Sequence, residues 1–193
     1  MDYEGSYRRR DATNDPDLAA EINAVARLTG SFKLRSGQVS TEYFDKYRFE
    51  GDPALLSRVA RAMLDLLPPG TEVLAGLELG GVPIATAMSL ASGLPAVFVR
   101  KQAKTYGSCK AVEGCDIAGC RVALFEDVIT TGGAVADAAR LVVGAGGVVV
   151  AVVYAIWRGE GSPRIAVLGD TPVLAPMLSR DLGRTSPSGA PLD

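Results

Sequence analysis

Arg121-Val-Ala-Leu-Phe-Glu-Asp-Val-Ile-Thr-Thr-Gly-Gly-Ala134 reads as a buried strand that stops at two acids and turns into a helix through small polar residues. The apolar run Val122 to Phe125 supplies the strand, Glu126 and Asp127 end it, and Thr130 to Gly133 lead into a helix starting near Ala134. Carboxylates at a strand end accept hydrogen bonds from the vicinal hydroxyls of a ribose. The free N–H groups of a helix start, with the positive end of its dipole, favour a phosphate. Glycine lets the backbone come close to that phosphate. From the residues alone the stretch is a cradle for a sugar phosphate. The competing reading is an ordinary strand–loop–helix whose acid binds a metal or accepts a phosphoryl group.

Outward from this stretch the chain alternates strand and helix. Strands are expected at Val73 to Leu77, Ala96 to Arg100 and Val148 to Ala155, with helices at Pro83 to Ala91 and Ala134 to Val143. Such alternation predicts a parallel sheet covered by helices on both faces, with ligands beyond the carboxyl ends of the strands. Glu78-Leu-Gly-Gly81, Arg100-Lys101, Glu126-Asp127 and Trp157-Arg158 all follow strands, so four polar clusters should meet on one rim. Earlier in the chain, Asp15-Pro16 predicts a helix start, and apolar spacing carries that helix to Gly30. Phe32 to Phe44 predicts two short strands around Ser36-Gly37. A second helix is expected from Asp52-Pro53 until Pro68-Pro69-Gly70 stops it. Residues 1–14 and 185–193 read as loose ends.

Composition narrows the class. A chain of 193 residues is one domain with room for a sizeable core. A net charge of −2 gives no broad attraction for nucleic acid. No apolar run approaches the roughly 18–20 residues of a membrane span, and Arg8-Arg9-Arg10 lacks the hydrophobic segment of an export signal. With sparse, irregular cysteines, these features point to the cytoplasm. There is no histidine, which excludes Ser-His-Asp and Cys-His catalysis. Cys109, Cys115 and Cys120 form no CxxC pair, so reduced thiols are expected rather than a metal site or disulfide.

Arg100-Lys-Gln-Ala-Lys-Thr-Tyr-Gly107 places three cations at the head of a loop. A loop of roughly 20 residues in a compact domain is commonly a lid or a disordered segment. Beside a phosphate-binding strand end, Arg100, Lys101 and Lys104 make sense as partners for a diphosphate. The GxxxxGK[ST] pattern is missing, and Gly144-Ala-Gly-Gly147 follows a helix, which excludes a P-loop and a dinucleotide fingerprint.

The segment Glu126 to Gly133 resembles the PRPP motif of type I phosphoribosyltransferases. Four further stretches narrow the resemblance to the orotate phosphoribosyltransferase family. Arg100-Lys101-x-x-Lys104-x-x-Gly107 is similar to its catalytic loop. Ser31-Phe-Lys-Leu-Arg-Ser-Gly37 followed by Glu42-Tyr-Phe-Asp45 is similar to its N-terminal stretch, and Gly76-Leu-Glu-Leu-Gly-Gly-Val-Pro83 to its pyrophosphate loop, where members tend to carry a non-proline cis bond. Ile156-Trp-Arg-Gly-Glu160 sits where members have an arginine for the orotate carboxylate.

The resemblance implies a type I phosphoribosyltransferase fold, a central mostly parallel sheet flanked by helices, with a small N-terminal hood at about residues 15–50. It implies the reaction of orotate with PRPP to orotidine 5′-monophosphate and pyrophosphate, with magnesium held by the diphosphate and water. Glu126 and Asp127 would bind ribose hydroxyls, Thr130, Thr131, Gly132, Gly133 and Ala134 would hold the 5′-phosphate, and Val128 and Ile129 would also belong to the PRPP site. Arg100, Lys101, Lys104 and Tyr106 would face the pyrophosphate together with Gly80 and Gly81. Lys104 is the residue expected to assist departure, with Lys101, Arg100 and Asp127 supporting catalysis. Arg35, Tyr43, Phe44, Thr130 and Arg158 would form the orotate pocket. In the family the cationic loop enters the neighbouring subunit's site, which implies a homodimer. Three positions depart from the common pattern: Tyr106 stands for a histidine, Arg35 for a lysine, and Gly80 for a lysine found in some members. A phosphoribosyltransferase for another base and a non-catalytic PRPP sensor are the alternatives. Arg158 with the Arg35 stretch argues against the first, and the negative charge with the Lys101/Lys104 loop against the second.

Overall fold

The computed structural model describes residues 15, 17–34, 36–102, 110–129, 132–158, 165 and 168–183. In chain order the elements are α1 (Leu18–Ala26), β1 (Arg27–Lys33), β2 (Val39–Phe44), α2 (Tyr47–Glu50), α3 (Pro53–Leu64), β3 (Val73–Leu77) and α4 (Gly81–Ser92). They continue as β4 (Ala96–Val99), β5 (Val112–Glu113), β6 (Arg121–Ile129), α5 (Gly133–Gly144), β7 (Val148–Trp157), β8 (Val173–Leu174) and β9 (Met177–Leu178). Among the described residues, β1 and β2 form an antiparallel hairpin of their own. The other strands make one sheet in the order β5-β4-β3-β6-β7-β8, with β9 also on β7. All pairings in that sheet are parallel except β5 on β4.

Strand alternation divides the apolar residues between two cores. On one face Leu74, Ala123, Phe125 and Val153 pack against α1, α3 and α4 through Leu18, Ile22, Val59, Met63, Ile84 and Met88. On the other face Ala75, Leu124, Val152 and Tyr154 pack against Val135, Ala138, Ala139 and Val142 of α5. Helices therefore cover both faces, and the near-continuous apolar runs of β3, β6 and β7 follow from burial on both sides. β3 has β4 on one side and β6 on the other, so the direction in which the sheet grows reverses there. The crevice beyond the ends of β3 and β6 is the place such a sheet offers a ligand.

Several local details follow the sequence. Asp52 caps α3 by accepting from the N–H groups of Ala54 at 2.9 Å and Leu55 at 3.1 Å, with Pro53 in the first turn. Gly37 turns the hairpin at a φ of 88°, a conformation that suits glycine.

Others correct it. α1 ends at Ala26 rather than Gly30, because Arg27 to Thr29 pair with Phe44 to Glu42; strand pairing overrides the helical spacing. Asp15 keeps its place at the helix start and gains a partner the sequence did not suggest: its carboxylate, bonded to the backbone at Asp17 and Leu18, also forms an ion pair with Arg58 at 2.6 Å. The loop after β4 is shorter than expected, because Val112 and Glu113 return to pair with β4. Most consequential, β6 does not stop at its acids. It continues to Ile129, paired with Trp157 of β7, so Glu126 and Asp127 lie within a strand. The expected loose ends 1–14 and 185–193 lie outside the described residues.

Candidate active site

Because Glu126 and Asp127 are neighbours in a strand, they leave the backbone on opposite sides of the sheet, although the Glu126 carboxyl bends back far enough to contact Asp127. Glu126 lines a cavity of about 330 Å³ with Leu77, Glu78, Val99, Arg100, Lys101, Ala134 and Asp137 among its walls. Three of the four polar clusters expected on the rim meet here, brought by the ends of β3, β4 and β6 and the first turn of α5. The Lys101 N–H donates to Glu78 Oε2 at 3.2 Å, which ties the head of the cationic loop to the turn after β3. That turn contains a cis peptide between Glu78 and Leu79, the non-proline cis bond the resemblance implies. Burial, then the charge of Asp127, pushes the Glu126 carboxyl up to about 9. A carboxyl held neutral in this way both donates and accepts hydrogen bonds.

Asp127 turns the other way and is wholly buried. Its Oδ1 accepts from the Val128 N–H at 2.6 Å, and its Oδ2 lies 2.7 Å from Lys46 Nζ. Glu50, from α2, packs beside it. Burial, then contact with Asp127, pushes the Glu50 carboxyl up to about 9. The Asp127 carboxyl is held below its ordinary value despite burial, because Glu50, Glu126 and Lys46 all favour its charged form. Neither Lys46 nor Glu50 stands out in the sequence. Their partner is remote along the chain, and a lysine and a glutamate in a short polar stretch read as a solvated turn.

Glycines close the space around Asp127. A Cβ on Gly80 would lie 1.9 Å from Asp127 Oδ2, and one on Gly81 would lie 2.1 Å from the Phe125 carbonyl oxygen. The start of α4 therefore rests directly on β6. At the other helix start, Gly132 precedes α5 at a φ of 77°, and Gly133 and Ala134 open that helix beside the cavity. Val128 and Ile129 are strand residues, Ile129 being buried.

Phe44 and Arg158 come together from β2 and the end of β7, with the guanidinium carbon 5.3 Å from the ring centroid. Burial, with Arg27 nearby, pulls the Arg158 guanidinium down to about 10. A desolvated cation whose charged neighbour is another cation is suited to an anionic ligand. Tyr43 points to the other side of the hairpin and stacks on Phe32 at 5.5 Å, so it does not join that pair. Arg35, Lys104, Tyr106, Thr130 and Thr131 lie outside the described residues, as does Cys109. Among the described residues no cluster of acids and cysteines forms a metal-binding group, and no helix is long and apolar enough to cross a membrane.

No family model matches the chain. An orotate phosphoribosyltransferase of Nocardioides sp. is 65% identical over 146 residues, which span 76% of this chain and 82% of the relative. One from Methanocella arvoryzae is 42% identical over 132 residues, 68% of this chain and 75% of the relative. Among solved structures, the Mycobacterium tuberculosis orotate phosphoribosyltransferase in complex with Fe(III) dicitrate superposes with a TM-score of 0.78 at 31% identity. That match covers 89% of this chain and 100% of the other. The same enzyme in complex with PRPP gives a TM-score of 0.72 at 28% identity, over 91% of this chain and 95% of the other.

Proposed function

The chain belongs to the orotate phosphoribosyltransferase family, and on that premise we propose how its residues divide the work. The enzyme has the type I phosphoribosyltransferase fold and converts orotate and PRPP to orotidine 5′-monophosphate and pyrophosphate in pyrimidine biosynthesis. Convergence of Glu126, Arg100 and Lys101 on one cavity beside the first turn of α5 is the observation that carries the site assignment. Glu126 takes the ribose hydroxyls, with Asp127 fixing the strand end behind it. Thr130 to Ala134, following Val128 and Ile129, receive the 5′-phosphate at the helix start, because the first N–H groups of a helix lack partners within it and favour an anion. Arg100, Lys101, Lys104 and Tyr106 face the diphosphate, with Gly80 and Gly81 giving it close access to the backbone. Orotate lies against Phe44 with its carboxylate toward Arg158, within a hood made by the β1–β2 hairpin and including Arg35 and Tyr43.

In the reaction the C1′–oxygen bond to pyrophosphate breaks and its electron pair leaves with the diphosphate, while an orotate ring nitrogen bonds to C1′ and gives up its N–H proton to water or to the departing pyrophosphate. Negative charge grows on the leaving group, so Lys104 and its neighbours stabilise the transition state more than the ground state. Orotate is already an anionic heterocycle, and a chain without histidine needs no strong base for this step. Magnesium fits the donor set, because it keeps much of its water and binds substrate phosphates. It would be held by the diphosphate and water, with the cavity side chains of Glu78 and Glu126 bonding to its water shell. When bound, it neutralises the diphosphate. The protein works as a homodimer in the cytoplasm, each cationic loop serving the neighbouring site.

Loss of orotate absorbance in the presence of PRPP and magnesium tests the reaction; turnover of adenine or uracil but not orotate would overturn it. Lys104→Ala should lower kcat far more than it weakens orotate binding, and an unchanged kcat removes Lys104 from the chemistry. Mixing inactive Lys104→Ala and Glu126→Ala chains should restore about a quarter of full activity, because random dimers then contain intact shared sites. No restoration would refute loop sharing.

A further inference from the structure

Asp127 is shut away from solvent at 0% exposure, yet it carries the charge of a cluster that contains more acids than bases. The groups facing it are Lys46 and Glu50 from the segment after β2, and Glu126 from its own strand; Tyr47 faces Lys46. Glu50 is 6% exposed, and neither of its carboxyl oxygens meets an N–H or O–H donor. What it faces is the carboxylate of Asp127. Two buried carboxyl groups in contact do not both ionise, so a proton is shared between them. Among the described residues Lys46 then supplies the cation, at 2.7 Å, on the same oxygen against which Gly80 is packed.

We propose that Lys46 and Glu50 are positioning residues for the phosphoribosyl site. Together they fix the rotamer of Asp127 and, through it, the spacing between the end of β6 and the turn that carries Gly80. This rests on the assignment of that crevice to PRPP. Glu50 acts as a neutral acid donating to Asp127, and Lys46 closes the charge balance. The geometry also gives the device a second connection. Phe44 lies beneath Arg158, and Lys46 follows it closely in the chain. The hairpin edge that contacts the base pocket is thus pinned to the ribose-side strand by one ion pair. A solvated lysine would serve neither purpose.

Steady-state kinetics with PRPP and orotate varied separately test this. Lys46→Met should raise KM for PRPP about tenfold or more, the size expected when a charged hydrogen bond is lost, with a smaller change in KM for orotate. Lys46→Arg should recover most of that loss. In an Asp127→Asn background, Lys46→Met should add little, because the partner charge is already gone. Glu50→Gln, which keeps a donor, should raise KM for PRPP less than Glu50→Ala. An unchanged KM for PRPP in Lys46→Met, or full additivity with Asp127→Asn, overturns the proposal. Both outcomes are read only against a wild type that consumes orotate, so a failure of the assigned reaction is separately visible.

Discussion

Replacing Gly80 by alanine adds one carbon at the tightest contact around the crevice. Gly80 has φ −65° and ψ −30°, ordinary helical values, so alanine meets no backbone penalty there. The cost is entirely one of space. The new Cβ would lie 1.9 Å from Asp127 Oδ2 and 2.3 Å from its Cγ, where ordinary contact begins at 3.4 Å. A gap of about 1.5 Å must open, and Asp127 has no solvent into which to move, because Lys46, Glu50 and Val128 hold it. The turn at Gly80 or the end of β6 must yield instead. Overpacking of this kind costs about 1–3 kcal/mol, which lowers Tm by about 2–12 °C in a chain of this size. A displacement of about 1 Å at a positioned group costs on the order of a hundredfold in rate. Gly80→Ala should therefore reduce kcat/KM for PRPP by about a hundredfold, as followed by loss of orotate absorbance. Circular dichroism would report the loss of stability. A variant with wild-type kcat/KM for PRPP and wild-type Tm would refute the reasoning. The same wall explains why a lysine at this position is not compatible with Asp127 in its present rotamer.

Three other outcomes follow from the structure. Glu50 is an acid whose folded pKa, about 9, stands above its ordinary 4.5; the folded state then binds more protons than the unfolded one between these values, and stability falls as pH rises through that window. Glu50→Gln removes that fall, so its Tm relative to wild type should increase from pH 5 to pH 9, and parallel melting curves across that range would contradict it. Asp52→Ala removes the cap that accepts from Ala54 and Leu55, and should cost about 1 kcal/mol, read as a Tm about 2–4 °C lower; no shift would mean that water replaces the cap without loss. Gly144→Ala places a methyl group in open space at the last residue of α5 and should raise stability by about 0.4–1 kcal/mol through the unfolded chain, measured by urea denaturation; a destabilised variant would show that the helix end needs glycine.

Much of the fold was legible because it depends on short-range patterns. The apolar runs of β3, β6 and β7, the Asp52-Pro53 helix start and the Gly37 turn each satisfy a local requirement that a few consecutive residues express. The motif residues came together in the same way: Arg100 and Lys101 after β4 and Glu126 in β6 did meet at one cavity. Where the sequence misled, pairing partners decided. α1 gave up its last turn to the hairpin because Arg27 to Thr29 had strand partners waiting. β6 passed through its acids because β7 was long enough to pair with Ile129.

At β6 local pattern gives way to the assembled interior. The sequence specified two adjacent carboxylates, their place between strand and helix, and cations nearby to meet a diphosphate. It did not specify which way each carboxylate faces. Strand alternation sends Glu126 into the cavity and Asp127 into the packed interior, a consequence of β6 continuing under hydrogen bonds from a neighbour remote in sequence. Lys46, Glu50 and Gly80 then surround Asp127 from three separate segments, and only folding makes them neighbours. Charge, burial and contact distance at such a point are properties of the assembled interior, because each depends on groups that the chain brings together from far apart.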